Sequence, residues 1–320
     1  MPASPHTEPS GAGARPIEDV LREAARGVEH TLDALLASRP ERGEIARPER
    51  LLAAMRHGVL NGGKRFRPAL AVEAARLFGM DGADEGLLRT AAAIECIHCY
   101  SLIHDDLPAM DDDDLRRGQP TVHVVYDDAT AILAGDALMT LAFAAIADPR
   151  THADPAVRAA LVGRLALASG IGGMAGGQML DLEFEGADPA EGRPDEAASR
   201  TMQAMKTGAL IEAACGMGAI HAGADEAAQG ALSEYGRAIG FAFQLADDLL
   251  DHTASPLEMG KAVGKDEARG KATFVTFLGL DGTRERLDAE LARAHRALDR
   301  FGARGETLKR LATFVAERRS

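Results

Sequence analysis

Ile94-Glu95-Cys96-Ile97-His98-Cys99-Tyr100-Ser101-Leu102-Ile103-His104 is apolar with few breaks and runs straight into Asp105-Asp106-Leu107-Pro108-Ala109-Met110-Asp111-Asp112-Asp113-Asp114. Six carboxylates fall within those last ten residues, and Arg116-Arg117 follow at once. An apolar helix ending in a crowd of like charges is costly unless something offsets the repulsion. A second acidic cluster, Asp247-Asp248-Leu249-Leu250-Asp251, again closes an apolar stretch. Two such helix ends set side by side would face carboxylates across one cavity mouth. Hard oxygen donors of this kind suit Mg²⁺, which keeps waters and takes substrate phosphates as further ligands.

Outward from this stretch the pattern stays helical. Val20, Leu21, Val28, Leu32, Leu35 and Leu36 follow a 3.6-residue period. Ala129 to Ile146 reads as a long apolar helix capped by Asp127 or Asp128. Thr201 to Ile220 and Leu232 to Leu250 read as helices too. Breaks are expected at Gly79 to Asp84, Asp148 to Pro155, Gly186 to Pro194 and Asp251 to Gly264. No set of segments alternates with a period of two, so no sheet is expected. The reading is all-α: one helical bundle around a central cavity, over residues 17–320, behind a disordered lead-in over residues 1–16.

The chain has 320 residues, is 46% hydrophobic and carries a net charge of −13, which argues against nucleic acid as a partner. Three cysteines, Cys96, Cys99 and Cys215, make no disulfide framework, so a reducing cytoplasm is expected. No unbroken apolar run reaches about 18 residues, and no transmembrane helix is expected.

Within each cluster the spacing is informative. Asp247 and Asp251 are i and i+4 and share a helix face, with Asp248 beside them and Gln244 a turn earlier. Asp105 and Asp111 are six apart, which a regular helix does not align; Pro108 is expected to distort the turn and bring Asp111 back. An EF-hand is excluded, because Leu107 and Met110 stand where a third-position acid and a sixth-position glycine are needed. Gly62-Gly63-Lys64-Arg65-Phe66-Arg67-Pro68 places Lys64 and Arg67 three apart after a permissive turn, able to converge on one phosphate. Arg116 and Arg117, as neighbours, point to different anions; Lys206, Lys261, Lys265 and Lys271 are further candidates. The Cys96-x-x-Cys99 spacing lacks a second pair, and Gly170-Ile171-Gly172-Gly173-Met174-Ala175 lacks a preceding strand, so neither is read as a zinc, redox or dinucleotide site.

Taken together these segments resemble the trans-prenyl diphosphate synthases, in particular the short-chain farnesyl type of bacteria. The resemblance rests on Gly62 to Pro68, on Tyr100 to Gly118, and on Gly176-Gly177-Gln178 with Asp181. It rests equally on Lys206-Thr207-Gly208, on Gln244 with Asp247 to Asp251, and on Gly260-Lys261 with Gly270-Lys271. It covers roughly residues 17–280, and the segment after Thr283 is less distinctive.

The resemblance implies the isoprenoid synthase fold and head-to-tail condensation of isopentenyl diphosphate with an allylic diphosphate. It implies about three Mg²⁺ ions, replaceable by Mn²⁺, held by Asp105, Asp111 and Asp247, with Asp106, Asp248 and Asp251 as supporting ligands. Arg116, Lys206 and Lys261 would bind the allylic diphosphate, and Lys64, Arg67, His98 and Arg117 the isopentenyl one, with Gly63 and Lys271 among the substrate contacts. Lys206, Thr207 and Gln244 would act at the reacting carbon. Tyr100, five residues or about 7.5 Å below Asp105, and Ser101 beneath it would floor the tunnel and give a fifteen-carbon product. The family commonly forms homodimers. Competing readings are a synthase of ten- or twenty-carbon product, a class I terpene cyclase, disfavoured by 4% aromatics and no Trp, and a non-catalytic synthase subunit, disfavoured by two intact aspartate clusters.

Overall fold

A computed structural model describes residues 15–185, 194–253 and 273–317. The lead-in over residues 1–14, Lys261, Lys265 and Lys271 lie outside the described residues, as do most of the two loops expected after Gly186 and Asp251.

In chain order the helices are α1 (Ile17–Leu35), α2 (Glu49–Leu60), α3 (Phe66–Arg76), α4 (Glu85–Asp105), the short α5 (Val122–Val125), α6 (Asp128–Ala147) and α7 (Pro155–Ser169). Then follow α8 (Met174–Glu185), α9 (Glu196–Gln203), α10 (Ala209–His221), α11 (Glu226–Thr253), α12 (Phe274–Ala297) and α13 (Glu306–Glu317). Helix α1 buries Val20, Leu21, Ala24, Val28, Leu32 and Leu35, the face its periodicity predicts. The Asp127 side chain caps α6 by accepting from the Thr130 amide, and Asp84 does the same for α4 at Leu87.

Helix α4 is the axis of the bundle. It packs against α6, α3, α1 and α10, and its first four turns are buried almost all round, with Arg89, Thr90 and Glu95 among the buried residues. Helix α10 lies between α3, α7 and α11, and α11 pairs with α12. The fully buried Tyr235 on α11 donates its hydroxyl to the Leu308 carbonyl of α13 at 2.6 Å, tying the last helix to the bundle.

Two features depart from the sequence reading. A two-stranded hairpin, Leu115–Arg116 with Gln119–Pro120, follows the first acidic cluster. Its two central residues, Arg117 (φ 54°) and Gly118 (φ 74°), are both left-handed, the reversal that matches strand twist. The helix expected over Thr201 to Ile220 is interrupted by a π-helical turn, Ala204–Gly208. Separately, α6 is long and apolar enough to cross a membrane, with a mean hydropathy of 1.8 over an 18-residue window, and the stretch Pro155–Glu185 passes the same test at 1.3. Neither stretch is an unbroken apolar run, since Asp128 and Asp136 interrupt α6, and length and composition alone make them only weak candidates for a membrane span. In the structure α6 lies along α4, and 44% of that window is buried.

Replacing Tyr235 by Phe should lower the unfolding free energy by about 1 kcal/mol, because the buried hydrogen bond joining α11 to α13 is lost; urea denaturation of the two proteins measures it.

Candidate functional site

Helix α4 ends at Asp105, and the turn after it folds back as Pro108 predicts. The Asp111 amide donates to the Asp105 carbonyl at 2.8 Å, and the Asp113 amide to that of Asp106 at 3.2 Å. Asp105 and Asp111 are thereby brought together, close enough for the charge of Asp111 to act on the Asp105 carboxyl. That carboxyl is pushed up to about 6, chiefly by burial, against the pull of Lys206.

Lys206 comes from the π-helical turn. Such turns bulge from the helix and often carry functional side chains. Helix α8 approaches this turn closely enough that a Cβ at Gly177 would collide with the Lys206 backbone nitrogen. One turn later on α8 the buried Asp181 carboxylate takes the Lys206 ammonium at 2.5 Å. Helix α11 also packs along the π turn, so the two acidic helices, α4 and α11, both flank Lys206.

A cavity of about 260 Å³ opens beneath Asp105. Asp105, Lys206 and Thr207 are at its polar end, and Tyr100, Ser101, Met110 and Met174 line it further on. The Ser101 hydroxyl donates to the His98 carbonyl at 2.9 Å, and the Tyr100 ring stands edge-on to His104 at 5.8 Å. Gln178 also lines this cavity, and its buried amide nitrogen has no hydrogen-bond partner.

A second, smaller cavity of about 160 Å³ has Lys64, Arg67, His98 and Arg117 in its lining, together with the Arg65–Glu95 pair. Arg67 and His98 border both cavities. Their side chains meet at 3.4 Å, and burial, reinforced by Arg67 and Arg117, holds His98 far below its ordinary value, so the imidazole is neutral. Arg117 is folded over Gly63 (φ 124°) and donates to the Gly62 carbonyl and to Asn61. Arg65, between Lys64 and Arg67 in sequence, points the other way. It has left-handed backbone (φ 46°) and a fully buried guanidinium that pairs with buried Glu95 at 2.6 Å and donates to the Val59 carbonyl at 2.6 Å.

A scan for known families matches residues 48–302 to the polyprenyl synthetases. The chain belongs to the polyprenyl synthetase family. Among its relatives, the farnesyl diphosphate synthase of Escherichia coli is 44% identical, over 82% of this chain and 88% of that protein. The enzyme of the same name from Geobacillus stearothermophilus is 40% identical, over 94% and 98%. Among solved structures, an FPP/GFPP synthase from Zymomonas mobilis in its apo state superposes with a TM-score of 0.82 at 39% identity, over 94% and 98% of the two chains.

For a polyprenyl synthetase the two acidic clusters are not uniform. Asp106 is 4% exposed and held by Arg116, whose Nε and Nη2 lie 2.9 and 2.5 Å from one of its oxygens. Asp248 is 7% exposed, accepts from the Gln244 amide at 2.9 Å and from the Phe274 backbone at 2.7 Å, and is pushed up to about 6 by burial. Protein donors thus reach both of these carboxylates, which the sequence reading casts as supporting metal ligands. Asp105, Asp111, Asp247 and Asp251 are the half-buried carboxylates of the two helix ends.

Polyprenyl synthetases generally depend on a divalent metal. Among the described residues no three of Asp, Glu, His and Cys are gathered into a ready-made metal site. The donors nonetheless fit a hard cation that completes its shell with substrate phosphate: carboxylates only, one of them raised by burial beside a second acid. Sequence reasoning missed the Asp181–Lys206 pair as a geometry, although it had picked out both residues. The inward turn of Arg65 had no sequence signal.

Asp105→Asn should raise the melting temperature of the metal-free protein at pH 7.5 by a few degrees. The folded-state value near 6 lies above the unfolded one, so the wild-type carboxyl costs most above pH 6 and is relieved as pH falls toward 4. The advantage of the variant should shrink accordingly in melts at pH 5.

Proposed function

We propose that this polyprenyl synthetase condenses isopentenyl diphosphate head to tail with dimethylallyl and geranyl diphosphates, giving farnesyl diphosphate and free diphosphate. The observation that carries the reading is the pair of cavities sharing the Arg67–His98 wall, one cation-lined and short, the other apolar below an acidic mouth. A terpene cyclase has no use for the cation-lined member.

The isopentenyl diphosphate sits against Lys64, Arg67 and Arg117. Neutral His98, its Nε2 facing Arg67, keeps its other ring nitrogen as a donor to the same anion. The allylic diphosphate lies at the mouth, with its chain running down past Ser101 and Tyr100. Asp105, Asp111 and Asp247, with Asp251 beside them, would hold Mg²⁺ there, about three ions as in the family, with Mn²⁺ as a substitute. Bound, the metal neutralises the leaving diphosphate. Lys206, reaching over from its Asp181 partner, adds a positive charge to the same group. As the allylic C–O bond breaks, the Thr207 oxygens and the Gln244 side-chain oxygen offer dipoles to the cation; the Gln244 amide nitrogen is already committed to Asp248. The isopentenyl double bond attacks the cation, a C–C bond forms, and the proton lost from the new chain passes to the departing diphosphate. Lys261 and Lys271 belong to the same reading from sequence alone.

We extend the proposal to residues 17–320 as one catalytic unit, acting as a homodimer in the cytoplasm. Support for the dimer comes from α6, which leaves Ile132, Leu133 and Met139 exposed at 45%, 57% and 37%. Support for a reducing compartment comes from three free, buried cysteines.

Two measurements test the site. With isopentenyl diphosphate and each allylic primer, Asp105→Ala and Asp247→Ala should each lose at least about a hundredfold in turnover at saturating Mg²⁺, and EDTA should abolish wild-type product. Near-normal rates in both variants would end the two-wall reading. Tyr100→Ala should shift product length from fifteen toward twenty carbons in extracted prenyl alcohols; an unchanged distribution removes Tyr100 as the floor.

A further inference from the structure

The small cavity has a second side that none of its charged residues explains. Phe66 of α3, Phe243 of α11, and Phe314 and Val315 of α13 also line it, as do Arg65 and Glu95, which pair with each other. Phe66 and Phe243 stack with centroids 6.3 Å apart and planes 29° from parallel. Phe314 is half-buried, so part of its ring remains free to meet a ligand. It reaches the cavity from the last described helix, beyond the stretch matched to the family and beyond every sequence motif that pointed to the site. Its position is fixed by the Tyr235–Leu308 hydrogen bond and by Leu308, Leu311, Ala312 and Val315, which form the buried face of α13 beside it.

A cavity lined by Lys64, Arg67, Arg117 and an imidazole, with the Glu95 carboxylate already paired to Arg65, and by three phenylalanines fits a short molecule with a diphosphate head and a small branched hydrocarbon tail. We infer that Phe314 is a specificity-determining residue for the isopentenyl substrate: with Phe66 and Phe243 it encloses the five-carbon tail and sets how bulky that tail can be. The inference rests on the condensation proposed above. Phenylalanine gives this wall a rigid, flat surface at a low cost in side-chain entropy, which suits exclusion of an extra methylene. The allylic cavity is lined by other side chains and shares only Arg67 and His98 with this one, so a change at Phe314 acts on one substrate and not the other.

Isopentenyl diphosphate does not react without an allylic partner, so its affinity can be titrated directly by calorimetry on the full chain. Phe314→Ala should weaken that affinity about tenfold and Phe314→Leu by less, while KM for geranyl diphosphate stays within about twofold. The preference in kcat/KM for isopentenyl diphosphate over its homologue with ethyl in place of methyl should narrow by about tenfold in Phe314→Ala. Unchanged affinity and preference in a variant that melts as wild type does would overturn the assignment, and so would an equal rise in both KM values. If Phe314→Ala does not fold, Phe314→Leu decides: an unaltered preference for the smaller tail refutes the role. Failure of the wild-type protein to form any condensation product would instead refute the activity on which the inference rests.

Discussion

Acidic side chains of like sign can be gathered at the end of a buried helix only if the protein neutralises some of them itself. Here one carboxylate of each cluster is given over to that task. Asp106 is turned inward against Arg116, and Asp248 against Gln244 and the Phe274 backbone. Each of these contacts also joins two separate elements. Arg116 ties the hairpin to the end of α4, and Asp248 ties the start of α12 to α11. The other acids, Asp105, Asp111, Asp247 and Asp251, remain half-buried, and the charge of Asp111 acts on the Asp105 carboxyl. Under the proposed function, such carboxylates would suit a multivalent cation bridged by diphosphate.

The rest of the bundle can be understood as the frame that keeps this arrangement in register with two cavities. Helix α4 supplies one wall of both, since His98, Tyr100, Ser101 and Asp105 occupy its last two turns. The π-helical turn supplies the opposite charge at the right height, and the glycine at 177 allows α8 to come close enough for Asp181 to hold Lys206. Neighbouring helices therefore do more than fill space around the site: each one fixes a particular charged group.

Much of this was legible in the sequence, for identifiable reasons. The acid clusters could be read because carboxylates following an apolar run are expensive, and the fold-back of Asp111 because Pro108 forbids a regular helix there. Lys64 and Arg67 come together as their spacing implied, and His98 and Arg117 line the same cavity as the family resemblance implied. The hairpin after Asp114 was not legible, since its turn needs a left-handed arginine at position 117, which sequence preferences argue against. The π turn was hidden because a Thr and a Gly within a helical stretch do not by themselves signal a change of helix type, and only packing against α8 marks it out. Phe314 was invisible for a different reason: it meets Phe66 across almost the full length of the chain, and no local pattern reports such a meeting.

Arg65 illustrates how unevenly this cationic rim could be redesigned. Its neighbours Lys64 and Arg67 face the cavity, whereas its own guanidinium is sealed inside, countering the charge of Glu95 and satisfying the Val59 carbonyl from a left-handed backbone. A library that retunes anion preference can vary the exposed position 64 and still recover folded protein. The same diversity at 65 would strand the Glu95 charge in the interior, so adjacent basic residues are unequal handles for an engineer.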